Sequence, residues 1–334
     1  DIAQSALKLI SVVLRERHDV TVRDSAVDVL LGKVKDDLTE PLYRHITFNF
    51  LRAVLDRKVQ TAVVYDVLDY VGTVMITNED NETRSLARGA FFHFIRDFPQ
   101  KKARWAKQLQ FIVANLEYER EGGRLSVMET VHLLLSKSAD DFVQEVASTC
   151  FIPLVFRLAN DDSEKCRQAA GELIKQVFKK ADQERLQRFL TLLRGWTQQN
   201  GNVGVLSLGV EAFGFYLETL EDDSNPKADL DLLVKKIAEI LGNLDKPAVV
   251  VVDSDLVNTS LRVMHVLVGK FPSRGLAKDT RDLWAGVRNG LLSSETPVQI
   301  SAIKLLGLYL VDFASSSSGT TPRKGGVFLG SHGL

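Results

Sequence analysis

Six histidines, His18, His45, His93, His132, His265 and His332, are the side chains best suited to proton transfer or metal binding near neutral pH, and they are scattered singly. None stands in an HExxH motif, at ligand spacing from a second histidine, or in a Cys-His cluster, so neither zinc chemistry nor a histidine relay is predicted. His132 and His265 fall near apolar stripes, where a hydrogen-bonded core histidine is the plainer reading than a ligand. The two cysteines, Cys150 and Cys166, are too few for a disulfide framework or a four-ligand zinc site. They suit a reducing interior, packed as small apolar groups. Gly122-Gly123-Arg124 superficially suggests a phosphate loop, but it follows a helical segment and lacks the lysine and hydroxyl of a Walker motif; a turn between helices explains it better. There is no GxSxG elbow and no kinase signature. Acidic pairs such as Asp161-Asp162 sit in predicted interhelical turns as solvated caps. No catalytic, cofactor-binding or metal residue is assigned, and neither an enzyme activity nor a small-molecule substrate is expected.

The elements that carry these residues follow one template. From Ser163 to Lys180, apolar Cys166, Ala169, Ala170, Leu173, Ile174, Val177 and Phe178 occupy one helical stripe, with Glu, Lys, Arg and Gln opposite. Such a stripe must be buried against a partner, and the chain supplies one repeatedly. Equivalent positions Leu7, Thr47, Ala87, Met128, Ala170, Gly209, Leu261 and Ala302 are separated by 40, 40, 41, 42, 39, 52 and 41 residues. That period matches HEAT or armadillo arrays. A second helical segment lies between successive templates: Asp24 to Leu38, Gln60 to Ile76, Lys101 to Tyr118, Ala139 to Ala159, Asp182 to Gln198, Leu230 to Leu244 and Lys278 to Leu292. Two helices per unit favour HEAT, so the predicted fold is an all-α HEAT-repeat α-solenoid of about seven repeats. The array is expected over 1–314, truncated at both ends, with a Ser/Gly-rich linker or loop over 315–334.

Local signals refine this plan. Thr296-Pro297 reads as a helix start, and Ser126 with Glu129 as a capping box. Phe98-Pro99 and Phe271-Pro272 read as stops, and Pro153 as a bend inside a helix. The long step of 52 residues carries an acidic stretch, Glu221 to Asp229, and the run Val249 to Val252, which is either an extended segment tucked against the array or an exposed partner contact. No run approaches the roughly 18 to 20 apolar residues of a membrane span, and no signal peptide is read, so a soluble protein is expected. The chain begins at Asp1 already inside an amphipathic stripe, as a piece of something longer would. Leu7 and Ile10 near one end, and Leu306 and Leu310 near the other, predict self-association or partner packing there.

Net charge is -1, which makes no case for a wholly basic nucleic-acid binder; any such role must rest on a local patch. The charges are unevenly placed. Turns leading into template helices carry acids: Asp36, Asp37 and Glu40; Glu79, Asp80 and Glu82; Asp161, Asp162 and Glu164; Asp253 and Asp255. Turns leading out carry bases: Arg15 and Arg17; Arg57 and Lys58; Lys101, Lys102 and Arg104; Lys179, Lys180 and Arg185; Lys270, Arg274 and Lys278. Glu218, Glu221, Asp222, Asp223, Arg120 and Arg124 break the pattern. A solenoid would therefore show a more acidic edge and a more basic one. Helix-dipole complementarity alone predicts mixing, because each edge holds both kinds of terminus. Lys101, Lys102, Arg104, Lys179, Lys180, Arg185, Lys270, Arg274 and Lys278 are the candidate contacts for RNA phosphates or an acidic partner.

One segment carries a more specific signal. Asn-Leu-Glu-Tyr-Glu from Asn115, then Gly123-Arg124, Ser126-Val127 and Glu129, Phe151-Ile152-Pro153-Leu154, and Asn160-Asp161-Asp162-Ser163 with Cys166 resemble the down-regulated-in-metastasis family, the very large HEAT-repeat proteins of the small-subunit processome. These motifs span about a sixth of the chain. The resemblance implies a non-enzymatic nucleolar scaffold in ribosome biogenesis, associated with pre-ribosomal RNA, ribosome assembly factors and snoRNP proteins, without cofactor or membrane. The alternative is a HEAT adaptor of another pathway, such as a nuclear transport receptor or a phosphatase scaffold.

Overall fold

In a computed structural model the apolar spacing becomes fifteen α-helices among the described residues, which are 2–221, 227–242, 253–271 and 281–317. The chain divides into two compact units, Asp1–Lys180 and Ala181–Leu334. The first holds α1 (Ile2–Glu16), α2 (Asp24–Val34), α3 (Arg44–Asp56), α4 (Ala62–Thr77), α5 (Asn81–Asp97), α6 (Lys102–Ala114), α7 (Glu121–Lys137), α8 (Asp140–Asn160) and α9 (Glu164–Lys180). The second holds α10 (Gln183–Trp196), α11 (Val203–Thr219), α12 (Lys227–Gly242), α13 (Ser254–Lys270), α14 (Arg281–Leu291) and α15 (Thr296–Ser317).

Within the first unit the template helices α1, α3, α5, α7 and α9 stack side by side as one layer, while α2, α4, α6 and α8 lie on its other side. The second unit repeats the plan, with α11, α13 and α15 in one layer and α12 and α14 in the other. The cause is the stripe: Cys166, Ala170, Leu173, Ile174, Val177 and Phe178 of α9 are all buried, and α9 packs on both α7 and α8. Aromatic side chains fill the space between layers. Tyr65 of α4 meets Phe94 and Phe98 edge-on at 6.1 and 5.6 Å between ring centroids, and Phe91 meets Phe111 of α6 at 6.0 Å. The small residues at the recurring position allow close approach. A Cβ on Gly209 would lie 2.9 Å from Trp196 Cβ and 3.0 Å from the Thr197 backbone nitrogen, so α11 seats directly on the end of α10.

Phe98 ends α5 just before Pro99, and Pro153 sits inside α8, as expected. The capping box does not form. α7 begins five residues earlier, at Glu121, so Ser126 is buried in the helix interior and its Oγ accepts from Arg88, while Glu129 pairs with Arg88 at 2.6 Å. The competing signal was Gly122-Gly123, which the helix absorbs because Gly123 lets the backbone approach; a Cβ there would lie 2.6 Å from the Ile76 carbonyl. A second correction concerns α8. At 21 residues it is long and apolar enough to cross a membrane by length and composition, contrary to the sequence expectation, but it buries one face against α9, α7 and α6 as a core helix does. α15 runs to Ser317. Val249 to Val252, Pro272, Asp222, Asp223 and residues 318–334 lie outside the described residues.

Candidate functional site

The two kinds of turn differ in how their charges are used. On the acidic side, arginines fasten the turns. Arg44, at the start of α3, donates to Asp80 Oδ2 at 2.5 Å, to Thr83 Oγ1 at 2.9 Å and to Glu82, all one repeat further on. Arg124, at the start of α7, is buried and donates to the Tyr118 and Glu119 carbonyls at 3.0 and 2.9 Å, to Asp161 Oδ1 at 2.8 Å and to Asp162. Arg167 of α9 reaches the Asp161 carbonyl at 2.7 Å, and Arg84 of α5 reaches the Asn78 and Glu79 carbonyls at 2.8 Å. Arg120 donates to Glu79 at 2.6 Å. Arg120 and Arg124, which broke the sequence pattern, are therefore the partners of the acids.

Many of the same acids and hydroxyls cap helices. Asp80 accepts from the Thr83 N–H at 2.7 Å, Asp253 from Leu256 N–H at 2.7 Å, and Ser163 from Cys166 N–H at 3.3 Å. The Thr83 N–H bond holds the Asp80 carboxyl below the ordinary carboxylate range, and Arg124 does the same for Asp162. Some of the motifs that carried the family resemblance are these fastenings: Arg124, Asp161, Asp162, Ser163 and Cys166 form one cluster. Both cysteines are buried, and burial pushes the Cys150 thiol up to about 12.

On the basic side, the seven candidates among the described residues separate into fastened and open groups. Arg104 lies 4.3 Å over the Tyr65 ring and 3.7 Å from Asp69. Arg185 donates to Asp182 at 2.5 Å, and Lys270 donates to the Glu218 carbonyl. Arg274 and Lys278 lie outside the described residues. Lys101, Lys102, Lys179 and Lys180 are exposed and have no ion-pair partner among the described residues. They belong to the first unit, where the α5–α6 turn and the end of α9 fall on the same edge of the stack.

The two lysine pairs differ physically. Lys179 and Lys180 occupy the last turn of α9, where the helix dipole favours cations. Lys101 and Lys102 open α6, where the dipole disfavours them, and no side chain caps that terminus. Uncapped N–H groups beside two ammonium groups make an anion-favouring position. Lys137 is an open lysine that sequence reading did not select. It is exposed in the last turn of α7, at the matching turn between the two pairs, and its repeat spacing was the available signal. Among the described residues no group of three or more His, Cys, Asp or Glu is placed to hold a metal ion.

Stacked antiparallel helix pairs, layered as described, define an α-solenoid of the HEAT type. Among solved structures, a designed armadillo repeat protein covers 83% of this chain and 99% of its own at 13% identity and a TM-score of 0.35; an engineered protein covers 72% and 97% at 17% identity and 0.34. No protein-family model matches the chain. By sequence, the chain is a relative of U3 small nucleolar RNA-associated protein 20. It is 30% identical to that protein of Schizosaccharomyces pombe over 96% of this chain, and 30% identical to that of Saccharomyces cerevisiae over 92%. The chain spans only about an eighth of these relatives' length, 13% and 12% respectively. The similarity thus extends from the short motifs to nearly the whole chain.

Proposed function

We propose that this chain is a non-catalytic HEAT scaffold segment acting in ribosome biogenesis, as part of the nucleolar small-subunit processome or 90S pre-ribosome. Its role there is to hold assembly factors and snoRNP proteins while its open lysine edge contacts pre-ribosomal RNA. The observation that carries the reading is the alignment over nearly the whole chain with proteins named for association with U3 small nucleolar RNA. The unpaired lysines at the turns supply a chemically suitable contact, since lysine neutralises phosphate without reading bases.

The test is depletion of the parent protein followed by measurement of small-subunit ribosomal RNA precursors, with rescue by the wild-type parent and by a parent carrying Lys101→Glu, Lys102→Glu, Lys179→Glu and Lys180→Glu. The expected result is precursor accumulation on depletion, rescue by wild type, and weaker ultraviolet crosslinking to precursor RNA in the variant. Normal precursor processing after depletion refutes the reading. Co-purification with transport GTPases or phosphatase subunits in place of precursor RNA would favour the adaptor alternative.

A further inference from the structure

We propose that the outward stripe of α8 is a docking surface for a basic, amphipathic helix of a partner protein. This inference is independent of the lysine edge. Asp141, Glu145, Ser148, Ile152 and Phe156 recur at helical spacing on the face of α8 turned away from the stack, and all are exposed. Ile152 and Phe156 stand one turn apart with 46% and 50% of their surface open. The neighbouring outer helices do not share this character: α4 exposes Asp66, Thr73 and Thr77, and α6 exposes Lys107 and Gln110.

Charge selects the occupant. Asp141 and Glu145 occupy the N-terminal half of the stripe, and neither has an ion-pair partner among the described residues. Glu117, beside the C-terminal half, keeps 65% of its side chain open while Arg157 reaches it at 3.4 Å. Arg157 also lies 5.4 Å over the Phe156 ring. Pro153 adds a polar feature, since its missing N–H leaves the Thr149 carbonyl without its helical donor one turn from Ile152. An apolar pair flanked on its N-terminal side by Asp141 and Glu145, two carboxylates without an ion-pair partner among the described residues, fits a helix that offers two aliphatic anchors one turn apart and lysine or arginine beyond them. At 1.5 Å per residue the stripe from Asp141 to Phe156 is about 22 Å long, which accommodates a partner helix of about four turns.

The test measures fluorescence anisotropy of a labelled helical peptide of about sixteen residues, carrying leucines at i and i+4 and lysines beyond them, titrated with the full chain. The expected result is saturable binding that weakens with salt, falls about tenfold or more in Ile152→Ser/Phe156→Ser, and falls also in Asp141→Lys/Glu145→Lys. Both pairs of positions are exposed, so helicity and melting temperature should stay at the wild-type values; that control separates lost docking from lost fold. Absence of saturable binding, equal binding of the serine variant, or equal binding of a peptide with glutamates for lysines overturns the proposal. Two further outcomes also overturn it: dimerisation that the serine variant abolishes, which would make the stripe a homotypic contact, and binding to neutral phosphatidylcholine vesicles that the peptide fails to displace.

Discussion

Replacing Arg124 with alanine removes a buried guanidinium that serves two carbonyls and two carboxylates. The Asp162 partner is 87% open and contributes little by itself, as exposed ion pairs do. Asp161 decides the magnitude. Its side chain is fully buried, its Oδ2 has no hydrogen-bond partner, and without Arg124 its Oδ1 retains only the Ser163 N–H at 2.9 Å. Orphaning a buried charge of this kind costs about 3 to 5 kcal/mol. Taking about 3 kcal/mol, because Asp161 keeps that one N–H, and about 2 to 4 °C per kcal/mol for a unit of this size, the first unit should melt about 6 to 12 °C lower. The assay is calorimetric melting of the whole chain, followed by a cycle through Arg124→Met, Asp161→Asn and their combination. The combination should be less destabilised than the sum of the singles, with a coupling of about 1 to 3 kcal/mol. A loss below about 1 kcal/mol for Arg124→Ala, or additive effects in the cycle, would refute the claim that this pair fastens adjacent repeats.

Further outcomes follow from other features. Lys101→Gln/Lys102→Gln should lower affinity for a single-stranded RNA oligomer and reduce the slope of log affinity against log salt by about 0.7 per lost phosphate contact, read by filter binding; an unchanged slope would remove these lysines from the interface. Asp80, Asp97 and Asp182 are held below their ordinary range by hydrogen bonds from Thr83 N–H, Arg96 and Arg185 N–H, so their contribution is complete above the unfolded carboxylate range and is lost as pH falls through the lowered values. Acid titration of stability should therefore flatten in Asp80→Asn, and an unaltered acid limb would count against this assignment. Gly209→Val should cost about 1 to 3 kcal/mol in denaturant unfolding, because its Cβ meets the α10 terminus at 2.9 to 3.0 Å; full stability would show that α10 and α11 can part. Cys150 should resist a thiol reagent at pH 8 until the chain is unfolded, since burial both shields it and disfavours its thiolate.

The repeat plan was legible because stripe period and unit period are both written in apolar residues. The template from Ser163 to Lys180 became α9 with its expected stripe buried except for half-buried Ala169, and Asp24, Ala139 and Asp182 marked helix starts to within a residue. The Ser126/Glu129 signal misled because the motif fits a helix terminus locally, whereas the start is set by how closely Gly123 seats against Ile76. The partners of Arg120 and Arg124, exceptions on the acidic edge, were hidden for a related reason. Sequence position shows which turn a charge occupies, but their partners are about 40 residues away and become neighbours only when repeats stack. The fastening of Arg104 on Tyr65 and of Lys270 on Glu218 was illegible for the same cause, whereas the partner of Arg185, Asp182, lies three residues away in sequence.

Lys270 apart, the split into fastened and open groups follows side-chain chemistry. Near the turns leading out of the template helices, Arg57 donates to the Val20 carbonyl at 2.7 Å, Arg104 lies on Tyr65, and Arg185 is bound to Asp182, while Lys101, Lys102, Lys179 and Lys180 stay open. Arginine's planar fork gains from fixed, directional partners; the lysine ammonium is a strongly hydrated point charge that gains less from being fixed. Packing these turns thus engages Arg57, Arg104 and Arg185 and leaves two lysine pairs facing outward, although Lys270 is engaged as well and Arg15 is exposed. An interface made this way reads phosphate density and not base sequence, because an ammonium on a flexible stem carries no geometric code. Lys101→Arg/Lys102→Arg should therefore preserve RNA affinity where the glutamine pair loses it, and competition between RNAs of equal length and different sequence should show no preference. Loss of binding in the arginine variant, or a strong sequence preference, would mean that the lysines hold a shaped site and that the contact is not simply electrostatic.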